Sequence, residues 1–359
     1  MDRVVGFARE FGMYSMISQD LTPNKRQGAF LEYLQRMRIP VVGIVILVVL
    51  LPLAATRGGL VTADTDIYIR IFEEYDPADG LFGGHFAPAF TALSWIAKYF
   101  NLEVGGYFWI VAGVGVTLKL IGIHRCSRFF LASVLVYLSK YFLLHEFAQV
   151  RAGIASAIFL CGVPYLSARK PWRYLLSILG AAAFHPSAFL YLAAYPLGSQ
   201  RWNNRQLVVC AALGASLVYL LNFNGALFAM VAQVFPKVEV YIDLLAEGQY
   251  AEINLFNVEA IIKIAIWFAL CNSSSGLRAR FKYFDVLFRV WTLSLIVYFA
   301  FSGVPVFAFR ASELFDIVSI PLLPALLVAF KNRLIGVAAF LLVLGLFVVN
   351  FYFIQPIIL

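Results

Sequence analysis

The chain is a succession of long apolar runs separated by short basic turns. "PVVGIVILVVLLPLAA" from Pro40, "VGGYFWIVAGVGVTLKLIGI" from Val104 and "FFLASVLVYLSKYFLL" from Phe129 are each bounded by charge. A helix needs about 20 apolar residues to cross a hydrocarbon core of ~30 Å. In lipid every backbone N–H and C=O must be satisfied within the chain, so such runs fold as helices. The stretches between them are too short for a soluble domain. The pattern therefore predicts an all-α polytopic membrane protein, with residues 1–359 forming one membrane-embedded domain.

Composition agrees. Hydrophobic residues make up 62% and charged residues 13% of 359, with a mean hydropathy of +0.83, whereas soluble domains are about half apolar and about a quarter charged. A net charge of +8 would suit a nucleic-acid partner. That class is excluded because Lys and Arg sit in short clusters between apolar runs, as topology signals do. Cys126, Cys161, Cys210 and Cys271 are far apart, with no CxxC and no histidine at ligand spacing, which argues against a disulfide framework or a zinc site. The first apolar run follows a charged segment and lacks a small-residue cleavage site, so it reads as a retained span. No internal repeat or low-complexity tract is present.

The positive-inside rule orders the runs. Residues 1–38, with Arg3, Arg9, Lys25, Arg26, Arg36 and Arg38, are expected in the cytoplasm. The basic clusters "HRCSR", "SARKPWR", "RWNNR", "SSSGLRARFK" and "KNR" are expected on the same side. About eleven crossings satisfy this alternation. Residues 58–103 and 223–256 become outer loops carrying interfacial helices. In the first, Ile67, Ile71, Phe72 and Tyr75 recur at helical spacing from a start near Asp64 or Asp66. In the second, Val238, Tyr241, Ile242 and Leu245 form one apolar stripe. Parity makes residues 86–100 a re-entrant or surface-lying helix, tolerable beside a cavity. It also makes 173–199 a hairpin of short helices with His185-Pro186 at its outer tip, where Pro186 interrupts the helix.

Arg57, Arg151 and Arg310 break the charge rule by falling on the outer side. Arg151 and Arg310 also stand at the starts of inward-running helices, where the helix dipole disfavours a cation by a few tenths to about 1 kcal/mol. An anion lodged between arginine and helix start reverses both penalties, and helix N-termini bind phosphate readily. A guanidinium fork suits phosphate better than a lysine does. The plainer explanation is an ion pair, with Glu146 for Arg151 and Glu313 for Arg310. His185 stands in an otherwise apolar "GAAAFHPSAF" and is a candidate proton acceptor, or simply a capped histidine. Asp64 and Asp66 form a D-T-D pair that suits a base or a divalent cation, or one of them caps a helix. His85, in "GGHFAP", is a lesser candidate beside a turn. There is no nucleotide loop and no HExxH, so an enzyme here acts on a membrane-borne substrate.

At these residues the sequence resembles the EpsG/Wzy-type family of polysaccharide polymerases. The block "QVRAGIASAIFLCGVPYLSARKPWRYLLSILGAAAFHPSAFLYLAAYPL" carries an R-x-G-(I/L)-A start, a basic turn and F-H-x-S-A, matched by Arg151, Gly153, Ala155, His185, Ser187 and Ala188. Looser matches are Asp64 with Tyr68, and Arg310 with Phe315. Ala152 stands where the family often has glutamine, and residues 1–38 have no counterpart. The resemblance implies a GT-C-like glycosyltransferase at the outer face of the bacterial plasma membrane. It would join oligosaccharide repeats carried on undecaprenyl diphosphate, with both donor and acceptor lipid-linked. A chain-length regulator and a flippase are the implied protein partners. On this reading Arg151, Arg310 and Arg57 bind the diphosphate, and His185, Asp64 and Asp66 are the candidate bases. His85, Gln149, Tyr68 and Tyr241 line the glycan groove. No cofactor is required, since arginines can do the work of a cation. The competing readings are a lipid-linked sugar flippase, which would tend to show repeated halves, a membrane O-acyltransferase, and an O-antigen ligase-like enzyme.

Overall fold

The computed structural model describes residues 41–57, 62, 64–80, 87–198, 212, 216, 257–301 and 305–354. It divides into two compact units, Met1–Val49 and Leu50–Leu359. Helix α1 spans Val41–Thr56. It is followed by α2 (Thr65–Glu74), α3 (Pro88–Tyr99), α4 (Val104–Cys126) and α5 (Phe130–Val136), which a π turn prolongs over Tyr137–Tyr141. Then come α6 (Val150–Ser167), α7 (Pro171–Ala182), a 3-10 helix over Pro186–Gly198, α8 (Val258–Asn272), α9 (Ser274–Arg280), α10 (Phe284–Ala300) and α11 (Pro305–Asp316). Helix α12 covers Ser319–Ala329 and α13 covers Arg333–Val349. There is no strand among the described residues.

Three helices are long and apolar enough to cross a membrane, or up to five if the bent pairs α8–α9 and α11–α12 each count as one. The eleven expected crossings are thus met only in part among the described residues. The reason is local. Two runs are bent, by 76° between α8 and α9 and by 45° between α11 and α12, the apolar helices Val41–Thr56 and Phe130–Tyr141 are shorter, and the crossing expected from Gln206 falls outside the described residues but for 212 and 216. The segments 1–38 and 223–256, with the predicted stripe through Tyr241, lie outside the described residues, as does His85. Large apolar side chains such as Leu176, Leu334, Leu341 and Leu342 are exposed, as a lipid-facing surface requires.

Helices α4 and α6 form the central pair. Their contacts advance in the same direction along both chains, Gly115 beside Ile154 and Gly122 beside Leu160, so they run parallel. A Cβ on Gly122 would lie 2.8 Å from that of Leu160. The missing side chain is what lets the helices approach, as small residues do in membrane packing. Helix α3 is 12 residues long, about 18 Å at 1.5 Å per residue, and does not reach across a ~30 Å core. The hairpin is present. Helix α7 stops at Ala182, the 3-10 helix returns from Pro186, and Tyr174 Oη donates to the carbonyl of Tyr191 across it. Ala89 N donates to the carbonyl of Ala183 at 2.9 Å, which docks α3 against the tip.

Among the described residues, the basic turns around Arg128, Arg280 and Lys331 gather at one end. Arg128 Nη1 donates to the carbonyl of Arg280 at 2.8 Å, and Ser273 Oγ donates to that of Ala329 at 2.7 Å. Helix α2, the hairpin tip and the start of α6 meet at the opposite end. There Tyr68, Phe72, Phe90, Tyr107 and Val150 form one buried cluster against which Phe184 packs. This separation of a basic end from a second end is what the charge rule demands of a membrane protein.

Candidate functional site

The site is organised by a kink between α5 and α6. A second π turn, Leu144–Ala148, is followed by Gln149 at φ −93°, ψ 54°. The helical ladder breaks there, which frees carbonyls that need new donors. Side chains from the preceding segment supply them. The carbonyl of Phe147 accepts from Arg57 Nη1 at 2.9 Å and from Thr62 Oγ1 at 3.0 Å. The carbonyl of Ala148 accepts from Tyr68 Oη at 2.9 Å, and the Tyr68 hydroxyl oxygen in turn accepts from Val150 N at 3.1 Å. Arg57 has a left-handed backbone, φ 53°, and its guanidinium lies 4.0 Å from the ring centre of Phe108. It is buried and also donates to Thr65 Oγ1 at 3.1 Å, so it holds the kink in place.

Arg151 is the second residue of α6 and is half-buried. Its charge acts on the Tyr68 hydroxyl. Burial pushes the Tyr68 hydroxyl up, against the pull of the Arg151 charge, so the phenol stays protonated and can serve the Ala148 carbonyl. Glu146, the carboxylate nearest in sequence, accepts from Tyr137 Oη at 2.8 Å. Gln149 Nε2 donates to Glu313 Oε2 at 3.0 Å. This single bond ties the start of α6, with Arg151, to α11, which carries the exposed Arg310 one turn before Glu313.

Glu313 opens onto a cavity of ≈ 320 Å³. Its wall includes Lys140, Asn257, Glu259, Lys263, Tyr298 and Phe351. A buried ionic cluster forms its base. Lys140 Nζ lies 2.7 Å from Glu259 Oε1 and 2.8 Å from Asp316 Oδ2. Lys263 Nζ lies 2.9 Å and 3.0 Å from those same oxygens. Asp316 also accepts from Tyr141 Oη at 2.8 Å and from Trp291 Nε1 at 2.7 Å. Asn257 caps α8 through Ala260 N at 2.9 Å, and Glu259 sits in its first turn, where the helix dipole favours an anion. Another buried cation, Lys119, donates to Gly153 O at 3.1 Å and Ser156 Oγ at 3.0 Å and faces His145 Nδ1 at 3.0 Å. No group of three or more metal-ligating side chains occurs among the described residues.

The residues singled out by sequence separate into two groups. Arg57, Asp64, Tyr68, Gln149 and Arg151 come together around the kink, whereas Arg310 stands exposed on α11, the helix that Gln149 reaches through Glu313. Asp66 is exposed on the other face of α2, since two residues along a helix turn a side chain by about 200°. The D-T-D motif therefore does not present its carboxylates as a pair. Asp64 occupies the N-cap position of α2 but makes no side-chain cap bond. His185 lies half-buried in the break before the 3-10 helix, its backbone N donating to the carbonyl of Ala181 at 3.0 Å. Lys119, Lys140, His145, Glu146, Glu259, Lys263, Glu313 and Asp316 went unnoticed as a set, and Glu146 and Glu313 figured only as partners for arginines. One signal could have found them. An ionisable residue within an apolar run marks a site by default, and Lys119 and Lys140 each stand inside one.

A family model described as the EpsG family matches residues 41–357. No curated protein and no solved structure matches the chain.

Proposed function

The chain belongs to the EpsG family, and on that premise we propose that it polymerises oligosaccharide repeats carried on undecaprenyl diphosphate, by glycosyl transfer. The family is associated with glycosyltransferase-like polymerase activity, and the apolar helices make this a membrane protein. The observation that carries the reading is the Gln149–Glu313 bond at 3.0 Å. It links the start of α6, which carries Arg151, to α11, which carries Arg310, and on this reading the two arginines serve one diphosphate.

In such a transfer the sugar–phosphate bond breaks through an oxocarbenium-like state, and negative charge grows on the departing diphosphate. Arg151, at a helix start, meets that charge with its guanidinium and with the helix dipole. Donors already aimed at developing charge in a low-dielectric site are often the largest catalytic contribution. Arg310 is the second such donor. Arg57, buried and bonded to the Phe147 carbonyl, acts one step back by fixing the kink that aims Arg151. The arginines supply the positive charge, so the reading requires no metal. The reaction takes place at the outer face of the plasma membrane, the side that the charge rule gives to the start of α6, within a GT-C-like arrangement of about eleven crossings.

The test is chain extension by purified protein in nanodiscs supplied with lipid-linked repeats. Arg151→Ala should abolish the polymer ladder while the protein remains inserted and abundant. Arg151→Lys should also be impaired, because a point charge does not replace a fork. Undiminished extension by Arg151→Ala sinks the mechanism. Translocation of the lipid-linked sugar without lengthening identifies a flippase instead.

A further inference from the structure

Transfer to a sugar hydroxyl needs a group that takes the hydroxyl proton. Of the carboxylates suggested by sequence, Asp66 is exposed and Asp64 stands at the start of α2, and neither lines the cavity. The cavity is flanked by three other carboxylates, and their bonds differ. Both oxygens of Asp316 are occupied, Oδ1 by Trp291 and Oδ2 by Lys140, Lys263 and Tyr141. It is a structural anion. Glu259 shares Oε1 between two ammonium groups, Lys140 and Lys263, so its charge is already balanced. Glu313 is held by a neutral amide alone, Gln149 Nε2 on Oε2. Its other oxygen takes no hydrogen bond among the described residues. Lys140, Glu259 and Asp316 act on it electrostatically without bonding to it.

The cavity suits one ring-sized polar group. Its ≈ 320 Å³ stands at the small end of the roughly 300–1,000 Å³ of small-molecule pockets. Asn257, Ser294, Ser312 and Tyr298 offer polar atoms, while Phe309 and Phe351 offer apolar faces. That mixture matches a sugar ring, which has hydroxyls at its edge and C–H groups on its face. We infer that the cavity seats the acceptor sugar and that Glu313, oriented by Gln149, is the base for its attacking hydroxyl. The inference rests on the polymerase reading. The hydroxyl oxygen forms the new bond to the anomeric carbon of the donor as the carbon–oxygen bond to diphosphate breaks. The electron pair of that bond leaves on the diphosphate, beside Arg151. The hydroxyl proton passes to Glu313, which afterwards releases it to water. Gln149 is a positioning residue, two positions from the arginine that meets the leaving group.

The experiment compares wild-type protein, Glu313→Gln and Glu313→Asp in nanodiscs. It measures the single-turnover rate of extension of lipid-linked repeats extracted from producing cells, and binding of undecaprenyl diphosphate. A positioned general base contributes typically about 10²–10⁴-fold. Glutamine at this position keeps an oxygen that can accept from Gln149, so Glu313→Gln should slow extension about a hundredfold or more with diphosphate binding within about threefold of wild type, and Glu313→Asp should recover part of the rate. Should the glutamine variant fail to purify, the aspartate variant decides alone: slowed extension with binding intact supports the base, while full rate or lost binding overturns it. A Glu313→Gln rate near that of wild type, or binding lost in step with rate, overturns the base and leaves the polymerase standing. Wild-type protein that extends no repeat overturns both.

Discussion

Replacing Lys140 by methionine removes one charge from a cluster of two ammonium groups and two carboxylates, Lys140, Lys263, Glu259 and Asp316, all within 2.7–3.0 Å contacts. The intact cluster is neutral. Without Lys140 two carboxylates share the single ammonium of Lys263, leaving one net negative charge where Asp316 is 1% and Glu259 17% exposed. Breaking a buried pair by removing one partner costs about 3–5 kcal/mol, mostly the penalty of the charge left behind. Counting bonds gives a similar figure, since Lys140 donates two charge-assisted hydrogen bonds of about 1.5–3 kcal/mol each. Lys140→Met is therefore expected to lower stability by about 3–5 kcal/mol. Glu259→Gln alone leaves the opposite imbalance. The double variant restores neutrality and keeps the 3.0 Å Lys263–Asp316 pair. Its cost should fall short of the sum of the singles by about 1–3 kcal/mol, as for residues in one network. The assay is reversible unfolding in mixed micelles under an SDS gradient, followed by circular dichroism. A single-variant cost under about 1 kcal/mol, with additive doubles, would refute the claim that buried charge balance holds this end of the molecule together.

Two further outcomes follow from the kink. Tyr68→Phe strips the donor from the Ala148 carbonyl and the acceptor from Val150 N, so stability should drop by about 1–3 kcal/mol in the same unfolding assay, and polymer yield should fall with it; an unchanged midpoint would show that the π turn does not need this hydroxyl. Gly153→Ala places a Cβ 2.7 Å from the carbonyl oxygen of His145. Backbone cannot yield as a flexible side chain can, so the substitution should cost about 1–3 kcal/mol and lower the thermal midpoint, whereas a loss under about 0.5 kcal/mol would mean that α6 shifts freely.

Much of the organisation was legible because it is local. The amphipathic spacing after Asp64 announced α2, and Pro186 announced the break at the hairpin tip. Arg151 was visible because a cation at a helix start beside lipid violates two rules at once. The roles of Arg57 and Tyr68 were not visible. Their partners are backbone carbonyls of Phe147 and Ala148, freed by a π turn that leaves no compositional trace. Glu313 figured only as an ion-pair partner for Arg310, because local reasoning looks one turn along the helix and not across to Gln149. Asp66 was paired with Asp64 by adjacency in the motif, whereas helical rotation sends the two to different faces.

The amino-acid order alone determined that this chain is helical, lives in a membrane and keeps its basic turns apart from its arginine-bearing helix starts. Hydrogen-bond satisfaction in lipid and the placement of Lys and Arg act residue by residue, so they can be read without any fold. Only the tertiary structure decided which charges meet. The bonds from Lys140 to Glu259 and Asp316, and from Gln149 to Glu313, join positions more than a hundred residues apart. Such pairings depend on how helices pack against one another, and no periodicity along the chain encodes them.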